Sequence, residues 1–162
     1  MSNAPDRNIG LELVRVTESA ALAAAPWMGR NKKIEADGAA VDAMRLMLNS
    51  IEMDGVIVIG EGEKDKAPML FNGEQIGRHD APDVPQCDLA VDPIDGTRPL
   101  ALGLPNSIAV VALAKRGSMF FPGPIVYMDK LAVGPEAAGV IDLNAPVADN
   151  LTKIAHAKGK TV

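Results

Sequence analysis

The chain has 162 residues, 48% of them hydrophobic, and its 16 Lys plus Arg against 21 Asp plus Glu give a net charge of -5. That length fits one domain, able to bury roughly two thirds of its unfolded surface, and an acidic balance without a basic block argues against a nucleic-acid partner. Cys87 is the only cysteine, which excludes an internal disulfide and any cysteine-rich zinc site and suits a reducing cytosol. The longest apolar run, Ile108 to Ala114, is far shorter than the roughly 18 residues of a membrane span. A soluble, cytoplasmic protein without membrane contact is expected.

In chain order, Leu11, Val14, Ala21 and Leu22 recur near helical spacing and predict a first helix over 11–25, closing around Pro26 to Gly29. Residues 31–36 read as charged and irregular. Asp37 then stands where an N-cap would, ahead of Ala40, Met44, Met47 and Ile51 on one face of a second helix ending near Asp54-Gly55. Val56 to Ile59, bounded by glycines, reads as a strand buried on both faces, and the segment 76–86, with Gly77, Pro82 and Pro85, as an exposed loop. A second strand over 87–91 is expected to stop at Asp92-Pro93, because proline cannot donate to a sheet ladder. Strands are further expected at 107–114, 118–121, 127–133 and 139–143, followed by a helix over 147–157. The pattern predicts an α+β fold: a layered sandwich built on a mostly antiparallel or mixed sheet with flanking helices.

An acidic protein repels a phosphorylated ligand at long range, so a phosphate site here needs local cations or backbone amides. Three acidic clusters stand at the ends of predicted elements: Asp37 opening a helix, Glu61 and Glu63 after one strand, Asp92 and Asp95 after the next. If those strands are neighbours the carboxylates converge, and gathered oxygen donors suit hard cations such as Mg2+ or Mn2+. In Asp92-Pro93-Ile94-Asp95-Gly96-Thr97 the proline fixes one backbone angle and the glycine permits close approach. Two carboxylates and the Thr97 hydroxyl can then face one point, with the amides of Gly96 and Thr97 able to receive a phosphate oxygen. Taken singly, each feature has a plainer reading: Asp37 as a helix cap, Glu61 and Glu63 as solvated loop charges, Asp-Pro and Asp-Gly as turn formers, Tyr127 as a half-buried strand residue.

The hexapeptide Asp92 to Thr97 resembles the signature of the superfamily of inositol monophosphatases and fructose bisphosphatases. Arg15 to Ala21, Ile57 to Glu63 with Ala67 to Leu70, and Val140 to Asn144 resemble class II, bacterial-type fructose-1,6-bisphosphatases in particular. The resemblance implies a layered sugar-phosphatase sandwich that hydrolyses the 1-phosphate of fructose 1,6-bisphosphate in gluconeogenesis, using Mg2+ or Mn2+. It implies Asp37, Glu61, Asp92 and Asp95 as metal ligands, with the Ile94 carbonyl as an additional one. Asp95, Gly96, Thr97 and Tyr127 would contact substrate, Thr97 would position the attacking water, and Lys33 and Asp65 would tune the water and phosphate environment. Members of that family are about twice this length, so residues 1–162 are expected to be an N-terminal metal-binding domain without the usual C-terminal substrate-binding domain. A homo-oligomer is expected, with a sugar bisphosphate as the small-molecule partner. The same residues would serve a sedoheptulose-1,7-bisphosphatase; an inositol-monophosphatase-like enzyme or a truncated, noncatalytic metal-binding module are the other readings.

Overall fold

The computed structural model describes residues 8–61, 70–78, 83–121, 123 and 128–162. The chain divides into two compact units, Met1–Phe121 and Pro122–Val162. In the first, helices α1 (Ile9–Ala24) and α2 (Lys33–Leu48) are followed by strands β1 (Asp54–Ile59), β2 (Gln75–Ile76) and β3 (Gln86–Asp95). A short helix α3 (Thr97–Leu102) and strand β4 (Ile108–Lys115) complete it. The four strands form one mixed sheet in the order β2-β1-β3-β4, with β1 parallel to β3 and the other two pairings antiparallel.

Helix α1 starts where the Asn8 side chain accepts the Gly10 amide at 2.9 Å, and it buries Val16, Ala20 and Ala24 at four-residue intervals. That small-residue stripe lets α1 lie close to α2, which presents Ala36, Ala40, Met44 and Leu48 in return. Both helices cover one face of the sheet, where Ile57, Leu89 and Val91 are buried. Fully burying Val16, Met44, Leu48, Ile57 and Leu89 contributes roughly 1.5–3 kcal/mol each.

Several expectations are corrected. Helix α2 begins at Lys33, so the charged segment is its first turn, closed by a Lys32–Glu35 ion pair at 2.9 Å. Asp37 is therefore in the second turn and caps nothing. The reason is tertiary: the Gly29 and Asn31 amides donate to the Leu100 and Ala101 carbonyls of α3, which holds the approach to α2 and allows the early start. β1 is buried on one face only, alternating between buried Gly55 and Ile57 and half-buried Val56 and Val58.

β3 does not stop at Pro93; it runs on to Asp95 through an irregularity. Asp92 faces Val110 and Asp95 faces Ile108, so three steps on β3 match two on β4. A bulge of this kind is a place where proline is tolerated. Helix α3 was not anticipated. The expected strand over 118–121 is absent because the Gly117 and Met119 amides turn inward to the buried Asp88 carboxylate, at 2.7 and 3.2 Å.

The second unit contains helix α4 (Val147–Ala157), as expected over 147–157, and a single turn of 3-10 helix at Pro135–Ala137. Its 139–143 segment is a loop, not a strand. Buried Asn150 of α4 accepts the Asp142 amide at 2.9 Å and donates to the Asp142 carbonyl at 2.8 Å, so those backbone groups serve α4 instead of a sheet. In the expected 127–133 strand, Tyr127 lies outside the described residues and 128–133 form no regular element.

Candidate metal and phosphate site

β1 and β3 are adjacent and parallel, so the chain leaves both at the same edge of the sheet. Sites in such sheets form outside the carboxyl ends of parallel strands. Glu61 follows the end of β1, and Asp92 and Asp95 belong to the end of β3. The bulge sets their phase. Residues three apart on a regular strand point to opposite faces, but the extra residue lets Pro93 and Ile94 both turn into the core. Asp92, half-buried, and Asp95, exposed, are left outside it on either side.

The carboxylates perturb one another. Glu61 is pushed up to about 7, first by burial and then by the charges of Asp92 and Asp37. Asp92 is raised by burial and by Asp95 and Asp37, while its hydrogen bond with Glu61 works the other way. The two carboxyls are close enough to share a hydrogen bond, and both are pushed above their ordinary values, first by burial. Asp37 is raised by burial, against a hydrogen bond from Thr97 and the charge of Lys33. Lys33, exposed in the first turn of α2, also offsets the rise at Glu61.

The Thr97 hydroxyl stands 3.2 Å from the Ile94 carbonyl and within reach of Asp37, so its one proton serves either oxygen. Gly96 precedes α3 at a φ of 89°, a left-handed conformation that favours glycine. Ser107 donates to its carbonyl at 2.7 Å, tying the loop to the chain entering β4.

Lys33, Asp37, Glu61, Asp92, Ile94, Asp95, Gly96 and Thr97 are thus gathered at one edge of the first unit. Glu63, Asp65 and Tyr127 lie outside the described residues. Among the described residues no three His, Cys, Asp or Glu side chains form a ready-made metal cluster. Like charges without a cation between them repel, and a proton on Glu61 relieves that repulsion.

The residues nonetheless fit a hard cation. Every donor is an oxygen, and Asp92 Oδ1 is buried with no hydrogen-bond partner, a costly state that a cation would relieve. Two supporting residues were not foreseen, Asn72 and Ser107. The Asn72-Gly73 pair was a legible turn signal, whereas nothing in the sequence marked Ser107.

Fold and site together define an α+β protein with an acidic oxygen-donor edge suited to a divalent cation. The family model described as bacterial fructose-1,6-bisphosphatase, glpX-encoded, matches residues 7–162. The chain is 56% identical over 156 residues to fructose-1,6-bisphosphatase 1 class 2 of Escherichia coli K12, an alignment covering 95% of this chain and 45% of that protein. Identity and coverage are the same for the class 2 fructose-1,6-bisphosphatases of Escherichia coli O6:H1 and Shigella flexneri. The chain belongs to the glpX-encoded bacterial fructose-1,6-bisphosphatase family. It spans about half the length of the curated relatives it matches. Among the described residues no helix is long and apolar enough to cross a membrane.

Proposed function

We propose that this chain is the metal-holding part of a class II fructose-1,6-bisphosphatase, which hydrolyses the 1-phosphate of fructose 1,6-bisphosphate to fructose 6-phosphate and phosphate. The observation that carries the reading is the gathering of Asp37, Glu61, Asp92 and Asp95, with Asp92 Oδ1 buried and unpartnered. In this reading those four carboxylates and the Ile94 carbonyl hold Mg2+ or Mn2+. When bound, the cation supplies Lewis-acid stabilisation of charge developing on the phosphoryl oxygens and makes water easier to deprotonate.

The chain's own groups do the rest. Thr97, whose hydroxyl lies near both the Ile94 carbonyl and Asp37, orients the attacking water, and Asp95 and Gly96 line the position of the phosphate, for which the Gly96 and Thr97 amides would serve as donors. Lys33 offsets the concentration of negative charge, and Asp65 and Tyr127 take the water-tuning and sugar-contacting roles that the family resemblance implies. Residues 1–162 then act as an N-terminal metal-binding domain in a cytoplasmic homo-oligomer.

The test is phosphate release from fructose 1,6-bisphosphate by the purified chain with Mg2+ or Mn2+, with chelator, and beside Asp92→Asn. Chelator-sensitive release that disappears in the variant supports a working site within these residues. Absence of Mn2+ binding by the wild-type chain would overturn the reading. Binding without turnover would show that the substrate-holding groups lie elsewhere.

A further inference from the structure

The exit of β1 is clamped by the turn that leads into β2. Phe71 to Glu74 form a tight turn, closed by the Glu74 amide donating to the Phe71 carbonyl at 3.0 Å, with Gly73 at a φ of 92°. From this turn the Asn72 Oδ1 accepts the Gly60 amide at 2.7 Å, and just before it the Leu70 carbonyl accepts the Glu61 amide at 3.1 Å. Gly60 is pressed so close that an added Cβ would fall 2.2 Å from the Leu70 carbonyl oxygen. The turn is itself anchored to α2. Arg45 Nε donates to Glu74 Oε1 at 2.7 Å and an Arg45 terminal nitrogen to Oε2 at 3.3 Å, while Glu74 Oε2 also accepts the Phe71 amide at 3.2 Å.

A continuous polar path therefore runs from α2, the helix that carries Lys33 and Asp37, to the backbone on either side of the Gly60–Glu61 peptide. A flexible residue just past a strand end has no ladder to fix it, yet Glu61 must meet Asp92 across the sheet. We propose that Asn72 is a positioning residue that sets Glu61 against Asp37 and Asp92, with Arg45 and Glu74 bracing its turn on α2. This rests on Glu61 being a cation ligand. Groups that orient ligands in this way typically alter metal affinity by about 10- to 100-fold when lost.

The test uses the 162-residue chain, Mn2+ as the probe, and Asn72→Ala, Asn72→Asp and Asp92→Asn. Titration calorimetry at high salt, where an added charge is screened, reads affinity. Amide hydrogen exchange in chelator reads the Gly60 bond without any metal. Asn72→Ala is expected to weaken Mn2+ binding by roughly tenfold and to speed exchange at Gly60. Asn72→Asp, which keeps the accepting oxygen, is expected to restore both. Because the exposed Asn72 carries little of the core, the melting temperature should stay close to that of the wild type.

Binding lost in Asp92→Asn but unchanged in Asn72→Ala overturns the positioning role and leaves the cation site standing. A wild-type chain without Mn2+ affinity overturns both. A loss in Asn72→Ala that Asn72→Asp does not recover, or that follows a matching fall in melting temperature, also overturns the role.

Discussion

Replacing Glu61 by Gln tests whether the acidic edge is strained in the absence of a cation. The folded state raises Glu61 from 4.5 to about 7, so the native protein binds more protons there than the unfolded chain across that interval. A group with a raised folded pKa contributes stability that is fully present below its unfolded pKa and is lost as pH rises through the folded one. The full shift corresponds to roughly 3 kcal/mol, but Glu61 is only half-buried, and solvent screening brings the expected effect to roughly 1–2 kcal/mol. In Glu61→Gln the amide still donates to Asp92 as the protonated acid does, and it carries no charge to desolvate. Without metal, the variant is expected to melt roughly 2–8 °C above the wild type near pH 8, and the gap should narrow as pH falls through about 7 and close below the unfolded value of 4.5, near pH 4. Trp27, the chain's only tryptophan, packs against the core of the first unit, so its fluorescence follows the relevant unfolding. Added Mn2+ should raise the wild-type melting temperature and leave the variant where it was. A variant less stable than wild type near pH 8, or an offset equal at both pH values, would refute the reasoning.

Three further outcomes are expected. Asp92→Asn should abolish Mn2+ binding while leaving the circular dichroism spectrum intact, since one carboxylate oxygen has no partner to lose and the amide retains an oxygen that can accept the Ile94 backbone hydrogen bond. Gly60→Ala should lower stability in urea by roughly 1–3 kcal/mol, because the Leu70 carbonyl that its Cβ would strike is backbone and cannot swing away. Asp88→Ala should cost roughly 1–3 kcal/mol, since Asp88 is buried and accepts the Gly117 and Met119 amides, which its removal leaves unpaired, while Arg116 keeps its bonds to the Cys87 carbonyl and Asp54. A urea midpoint unchanged from wild type would contradict either of the last two.

Much of the architecture was legible because it depends on local pattern. The β-branched run of β1 and the spacing of α4 each dictate an element from neighbouring residues alone, and α1 is a helix as expected, although Leu11, Val14, Ala21 and Leu22 are exposed and Val16, Ala20 and Ala24 form its buried face. Where reading failed, the deciding partner was distant in sequence. Residues 33–36 became helix because α3, some seventy residues on, holds the backbone before them. The 118–121 strand was lost to the carboxylate of Asp88, and the 139–143 strand to the side chain of Asn150.

The amino-acid sequence by itself determined the kind of chemistry available. The hexapeptide Asp92 to Thr97, with Asp37 and Glu61, marks the family through residue types alone, because oxygen donors and a turn-forming glycine are required wherever they end up in space. Only the tertiary structure decided how they meet. The parallel pairing of β1 with β3, the bulge between Asp92 and Asp95 and the turn that grips Gly60 are relations between separate segments. Like charges do not approach one another unprompted; packing of the helices on the sheet brings these acids together, and Glu61 is raised there first by burial and then by the charges of Asp92 and Asp37.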